Sequence, residues 1–454
     1  MIHRTIARSA LMLTVAFAFL YVEPVTAQTG RIDNIQAQAS LVTEFEVNGL
    51  KVLVKRREAS PTVSAGLFFR GGARNLTPKT AGIESLALKA ATEAGKRFPR
   101  QALRRELSRN GGSISSGSNR DYSVIAFAST REAFDTMWNI FADVSIDPSF
   151  APEDVERVRR QIISGLREAE SSPDAALLTA QDRVLFNGHP YANDPAGTIA
   201  TISSFTVDEL RKYHRSRMET SQLLLVVVGD VSAEDIKARA TAVFGKLPKG
   251  TYKEKALPAV DFSTPTVDVT PRPIGTNYVQ GAFAAPSLND PDYHAMRVAT
   301  TILKEMVYDE VRNKRQLSYA PNAEMNADGA NTAFIYVTAV EANRAVSVMF
   351  DQIRTLRSAQ LPDDAISGIS GQFLTNYYLG QETNSAQAAE LAKYELLGGG
   401  WRNSFEFLNK VRDVKPSDIQ RVSQKYMKNL RFTVIGNPSA VDSNVFKDVR
   451  PTAD

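Results

Sequence analysis

A helix that holds a catalytic metal has a simple requirement. Two histidines must lie on one face, and a glutamate between or beside them must be able to move a proton. The segment TAGIESLALKAATEAG, residues 80–95, reads as an amphipathic helix behind a strand and a glycine-bearing loop, yet it contains no histidine and no cysteine. What it offers is Ser85 and Lys89, four residues apart and so on one face. A serine and an amine could act as nucleophile and base. The usual S-x-x-K spacing is absent and no oxyanion glycines follow, so a cavity-facing helix on which the two meet by chance is the competing reading.

Elsewhere the donors for metal or thiol chemistry are sparse. The chain has no cysteine, and its four histidines, His3, His189, His214 and His294, have no partner at ligand spacing. They read as fold residues. Basic and acidic residues are interspersed and the formal charge is only +4, which leaves no patch for nucleic acid.

The elements that must position these residues follow from the patterning. The 454 residues, 43% hydrophobic and 23% charged, are ordinary for a globular chain of several domains. Arg4 and Arg8, an apolar run from Ala10 to Val22, and the small-residue site Val25-Thr26-Ala27 read as a secretory signal over residues 1–27. An uncleaved anchor is the alternative. No later run is long and apolar enough to span a membrane, so no stable span is expected after cleavage. A Gram-negative periplasm is the expected location, with secretion beyond it the competing one. Without disulfides, stability must come from the core, which a chain of this length can supply.

A repeat organises the rest. VDELRKYHRSRMETSQLLLVVVGDV (Val207–Val231) and PSDIQRVSQKYMKNLRFTVIGNP (Pro416–Pro438) both read as helix, turn, buried strand and glycine, with Met218 and Met427 at an offset of 209. Capping boxes are expected at Thr206/Glu209 and Ser417/Gln420. The proline- and lysine-rich segment from Gly245 to Gly275 reads as a linker with one edge strand. The predicted units are an N-terminal half (28–248), a linker (249–272) and a C-terminal half (273–454). In the first half, Asn48-Gly49 joins two strands in a type I′ turn, TVSAGLFFRGG is a third strand, and a helix runs from Thr80 to Ala94. In the second, a helix is predicted from Tyr293 to about Val311, and strands near Tyr319 and Phe334.

The order and spacing of FEVNGLKVLV, LFFRGGARN, NGHPYANDPAGT, LRKYHRSRM and EVRNKRQLSYA resemble the M16 family of zinc metallopeptidases, which includes pitrilysin and the mitochondrial processing peptidase. The resemblance covers about Val42 to Val449. It implies an α+β fold of two homologous halves. Each is a mixed or antiparallel sheet covered by helices, of the LuxS/MPP-like metallohydrolase kind, in a clamshell arrangement.

In active members the helix reads G-x-x-H-x-x-E-H. Setting Gly82 on its glycine places Ser85, Leu88 and Lys89 where the first histidine, the glutamate and the second histidine would stand. Aligning on Pro173 puts Ser164 or Gly165 in place of the remaining glutamate ligand. A fixed cation at Lys89 opposes a dication, and Leu88 cannot move a proton. No metal or other cofactor is therefore expected in this chain.

The resemblance also picks out Arg312 and Tyr319, seven residues apart. It implies that they reach across a cavity to a facing zinc site, where they hold substrate and assist at the scissile carbonyl. A guanidinium and a phenol are both donors and suit an oxygen that gains charge. Arg315 is a nearby alternative to Arg312, and a helix-end arginine followed by a strand-starting tyrosine is the plain structural reading.

The implied role is the zinc-free subunit of a heterodimeric periplasmic peptidase. Its expected partners are a zinc-binding H-x-x-E-H subunit and a peptide that can add as a strand to a sheet edge. The alternative is a non-enzymatic, peptide- or protein-binding scaffold of the same fold.

Overall fold

The computed structural model describes residues 37–448, apart from 360 and 363. The leader expected over residues 1–27 lies outside the described residues. In the first half the elements run β1 (Val42–Val47), β2 (Leu50–Arg56), β3 (Thr62–Arg70), α1 (Ile83–Ala91), α2 (Arg100–Asn110), β4 (Ser113–Ser118), β5 (Tyr122–Thr130), α3 (Phe134–Ile146), α4 (Pro152–Ser171), α5 (Pro173–Leu185), α6 (Ile199–Ser204), α7 (Val207–Arg217), β6 (Leu223–Gly229) and α8 (Ala233–Phe244). The second half runs β7 (Thr266–Pro271), β8 (Asn277–Ala284), α9 (Tyr293–Val307), a π-helical turn (Tyr308–Lys314), β9 (Asn322–Met325), β10 (Thr332–Ala339), α10 (Ala342–Ser358), α11 (Asp364–Gly380), α12 (Asn384–Leu397), α13 (Phe407–Arg412), α14 (Pro416–Tyr426), β11 (Arg431–Gly436) and α15 (Ser443–Phe446).

Two mixed sheets result, ordered β1-β2-β6-β3-β5-β4 and β7-β11-β8-β10-β9. The repeat is visible in their wiring. β6 runs parallel to β2 and antiparallel to β3, and β11 runs parallel to β7 and antiparallel to β8. Met218 and Met427 end the helices before these strands with nearly the same backbone angles, φ/ψ −85°/56° and −81°/63°. The edge strand foreseen in the linker is β7.

Turn and cap chemistry account for most of the boundaries. Asn48 and Gly49 both take positive φ, 49° and 85°, and set the register Val47↔Leu50. Thr206 and Glu209 form the capping box of α7. The box at Ser417/Gln420 does not form. Pro416, with its fixed φ and no N–H, takes the first position of α14, so Ser417 already lies inside the helix. Asp418 instead accepts from the Lys415 N–H at 3.2 Å, and Gln420 donates to the Ser358 carbonyl. Helix α1 starts only at Ile83 rather than Thr80, because Gly82 before it is left-handed at φ 87°, and it ends at Ala91 rather than Ala94.

Every residue of β6 is buried, because its sheet is covered on both faces. Leu225 and Val227 meet Phe134, Trp138 and Phe141 of α3 and Phe244 of α8. Leu224, Val226 and Val228 face the second half. The cover on that side is α12, which lies on β3 and β6. Reciprocally, α5 of the first half lies on β11 and β8, where Leu177 and Ala180 meet Ile435. Each half thus lends a helix to the other's sheet. Polar contacts reinforce the exchange: Asn384 to the Thr62 carbonyl at 2.6 Å, Lys51 to Glu395 at 2.7 Å, and Tyr336 to Asp174 at 2.6 Å.

The glycine triplet 398–400 ends α12. The N–H groups of Gly398 and Gly400 both donate to the Tyr394 carbonyl, with Gly399 at φ 74°. The chain then delivers the Trp401 indole to Glu44 at 2.7 Å. The β4–β5 and β9–β10 turns, which are counterparts in the repeat, also meet: Arg120 pairs with Asp328, and Asp121 accepts from the Gly329 N–H. No helix among the described residues is long and apolar enough to cross a membrane.

Candidate functional site

Helix α1 is wedged between α4, α7 and the edge strand β4. Ile83, Leu86, Ala87, Ala90 and Ala91 pack on Val155, Val158, Phe205 and Leu210. Its entry is fixed by two glycines: a Cβ on Gly82 would stand 2.7 Å from the Cα of Gly197. That contact explains the second glycine of NGHPYANDPAGT.

The positions that would carry a metal are oriented accordingly. Ser85 is nearly buried, at 8% exposure, and Leu88 points into the core beneath the first sheet. Lys89 is exposed, with no ion pair among the described residues, and no hydrogen bond joins it to Ser85. The nucleophile–base contact of a Ser–Lys dyad is therefore not made. Ser164 and Gly165 lie on the exposed face of α4. The donor set at Ser85, Leu88 and Lys89 is a hydroxyl, a hydrocarbon and an ammonium, which does not fit zinc. No group of three or more His, Cys, Asp or Glu among the described residues is placed to hold a metal ion.

The one carboxylate on this helix, Glu84, is turned away and buried. Burial pushes its carboxyl above the usual range, and the Tyr213 hydroxyl donates to it.

The three described histidines hold the fold together. His189 contacts the Pro258 carbonyl at 3.0 Å and accepts from the Tyr191 N–H at 3.1 Å. His214 meets Phe150 edge to face, and His294 meets Tyr293 edge to face and Phe407 at a tilt. Burial lowers both rings to about 4, so they are neutral near pH 7.

Arg312 and Tyr319 are brought together. After Val307 the helix widens into the π-helical turn, which ends at Lys314 and is followed by Arg315 and then Gln316, a non-glycine residue at φ 54°. The Gln316 N–H reaches the Arg312 carbonyl, and the Leu317 N–H reaches that of Val311. This is a left-handed helix stop widened by one residue. It turns the chain back so that the Tyr319 ring lies 4.1 Å from the Arg312 guanidinium. Tyr319 is 78% exposed and sits in a loop. The strand predicted near it begins only at Asn322, because Pro321 has no N–H for a ladder.

The neighbouring charges separate Arg312 from Arg315. Arg315 and Lys314 are both held by Glu310, and Lys314 by Asp309 at 2.9 Å as well. Arg312 has no carboxylate partner among the described residues. A second ring, Tyr308, stands 5.0 Å from the same guanidinium. Sequence reasoning passed over Tyr308, although its i, i+4 spacing to Arg312 was there to be read.

Residues 51–198 match the family model described as Insulinase (Peptidase family M16), and residues 204–372 the one described as Peptidase M16 inactive domain. The chain is 20% identical over 414 residues to the probable mitochondrial-processing peptidase subunit beta of Arabidopsis thaliana, covering 86% of this chain and 77% of that protein. With the mitochondrial-processing peptidase subunit beta of Caenorhabditis elegans the identity is 25% over 290 residues, 62% of each chain. With the zinc protease PqqE of Helicobacter pylori it is 19% over 408 residues, covering 86% of this chain and 90% of that protein. Among solved structures, a peptidase M16 inactive domain from Pseudomonas fluorescens superposes with a TM-score of 0.78 at 18% identity, covering 87% of this chain and 98% of that one. A protease from Helicobacter pylori gives 0.78 at 16%, covering 87% and 99%.

Proposed function

The chain belongs to peptidase family M16, and from that premise we propose that it is the zinc-free subunit of a two-subunit peptidase of that family. The observation that carries this reading is a contrast within one molecule. The positions of the metal helix hold Ser85, Leu88 and Lys89, whereas Arg312 and Tyr319 are kept together with no carboxylate on their donors among the described residues. In this role Arg312 and Tyr319 donate to a peptide carbonyl held in the partner's site, where charge develops on oxygen. A partner with an intact H-x-x-E-H helix supplies the zinc. The leader-like residues 1–27 support a periplasmic setting, in which the mature chain starts at Gln28.

The test is co-expression with an H-x-x-E-H homologue from the same organism, followed by purification from the periplasm and N-terminal sequencing. A heterodimer should form that cleaves peptides. Arg312→Ala and Tyr319→Phe should lower its kcat by roughly 10²-fold, the scale of losing one preorganised donor at a developing oxyanion. If no complex forms, or if both variants cleave like the wild type, the reading is wrong and the chain is better described as a scaffold.

A further inference from the structure

We propose that Tyr308 is a positioning residue for Arg312, and that the two rings of Tyr308 and Tyr319 together do for this arginine what a carboxylate does for its neighbours. The inference rests on the reading that Arg312 meets the peptide. Three observations carry it.

First, one guanidinium lies within cation–π range of both rings, 5.0 Å from Tyr308 and 4.1 Å from Tyr319. Second, no other polar contact among the described residues restrains it. The adjacent cations Lys314 and Arg315 are fixed by Asp309 and Glu310, whereas Arg312 has neither an ion pair nor a side-chain hydrogen bond among the described residues. A surface arginine left to itself spreads over many rotamers, and that entropy would be lost each time a carbonyl is bound. Third, the two rings differ in how they are held. Tyr319 stands in a loop at 78% exposure, whereas Tyr308, at 36% exposure, is carried on the π-helical turn itself, four residues before Arg312, so that turn fixes its backbone. Tyr308 is therefore the fixed wall, with Arg312 ordered against it and Tyr319 against Arg312. Ring contact leaves the N–H edges of the guanidinium unpaired, which a salt bridge would not. A carboxylate at this place would occupy the donors that the peptide needs.

The Tyr308 hydroxyl makes no hydrogen bond among the described residues, so the ring alone should suffice. That gives the experiment its control. In the isolated full chain, the rate at which phenylglyoxal modifies Arg312 is followed by peptide mass mapping. Tyr308→Leu should raise it several-fold, and Tyr308→Phe should leave it at the wild-type value. In the cleaving complex, Tyr308→Leu should lower kcat/KM by roughly 2- to 30-fold, the range of a cation–π contact. Tyr308→Phe should retain full activity, and Tyr308→Leu should add nothing in an Arg312→Ala background.

The proposal is overturned if Tyr308→Leu matches the wild type in the modification rate, or if Tyr308→Phe fails as badly as Tyr308→Leu. Should Arg312→Ala itself leave cleavage unchanged, the functional reading falls, and the modification rate still decides the role of Tyr308.

Discussion

Asp121, in the turn between β4 and β5, accepts a hydrogen bond at 3.0 Å from the backbone N–H of Gly329, in the turn between β9 and β10. The same carboxylate, 2% exposed, accepts from Arg74 at 2.7 Å and from the Tyr191 hydroxyl at 2.6 Å, and that hydroxyl in turn accepts from the Ala330 N–H. Counterpart hairpins of the two halves are thus joined through one buried acid. Asp121→Ala would leave the buried Arg74 guanidinium with Glu254, at 2.8 Å, as its remaining carboxylate, and would take the acceptor from the Gly329 N–H and the Tyr191 hydroxyl. It should destabilise the chain by about 1–3 kcal/mol, the cost of leaving a buried donor unsatisfied. Gly329→Ala should also destabilise, since its Cβ would stand 2.7 Å from Asp121 Oδ1. Both are read as a lower urea midpoint; midpoints equal to the wild type would refute the clasp.

Lys55 is 3% exposed, lies 5.2 Å over the Phe405 ring and has no acceptor among the described residues. Burial, with Arg57 adding to it, lowers its amine to about 8. Between pH 8 and the ordinary lysine value the unfolded chain holds the proton more firmly, so stability from this residue rises with pH across that window. Lys55→Met should stabilise the chain near pH 7, by up to about 3 kcal/mol. The gain should shrink as the pH is raised towards 10. Melting temperatures of both proteins from pH 7 to 10 check this.

His214 and His294 act at the acid end. Their rings, lowered to about 4 by burial, stay neutral in the fold while the unfolded chain takes up protons below about 6.5. Stability is therefore fully present above pH 6.5 and is lost as the pH falls towards 4. His214→Phe, which keeps a ring against Phe150, should flatten the slope of melting temperature between pH 6.5 and 4.5. An unchanged slope would show that this ring does not contribute.

The isolated chain should retain well short of one zinc after equilibration with the metal and desalting. Ser85→His with Lys89→His places two imidazoles at i, i+4 and should confer chelator-sensitive binding. Adding Leu88→Glu should lower the melting temperature, because that side chain enters the core beneath the first sheet. Metal content by mass spectrometry of each protein decides between these outcomes.

Much of the architecture was legible because it is written locally. The Asn48-Gly49 turn, the Thr206/Glu209 cap and the paired Met218 and Met427 need only their own neighbours to be interpreted. The second cap was misplaced because Pro416 outweighs Ser417 as a helix start. Tyr319 was placed beside its strand rather than before it because the π-helical widening after Val307 leaves no mark in an apolar pattern. The site divides in the same way. Lys89 and Leu88 depart from a zinc ligand set by residue type alone, whereas the contact of Arg312 with Tyr319 depends on the left-handed Gln316, which residue type does not announce. The Asp121 clasp joins residues 208 apart, and the exchanged helices reach further, with Gln181 of α5 meeting a residue 250 away and Asn384 of α12 one 322 away; no single-chain periodicity reports such contacts.

The loan of α12 to the first sheet has a consequence for biosynthesis. The strands β3 and β6 are complete once residue 229 has been made, but the helix that shields Phe68, Leu224, Val226 and Val228 begins only at Asn384. For more than a third of its synthesis the nascent protein carries a finished apolar surface with nothing to lay on it. Such a surface invites capture by a neighbouring chain or a chaperone before the remainder arrives.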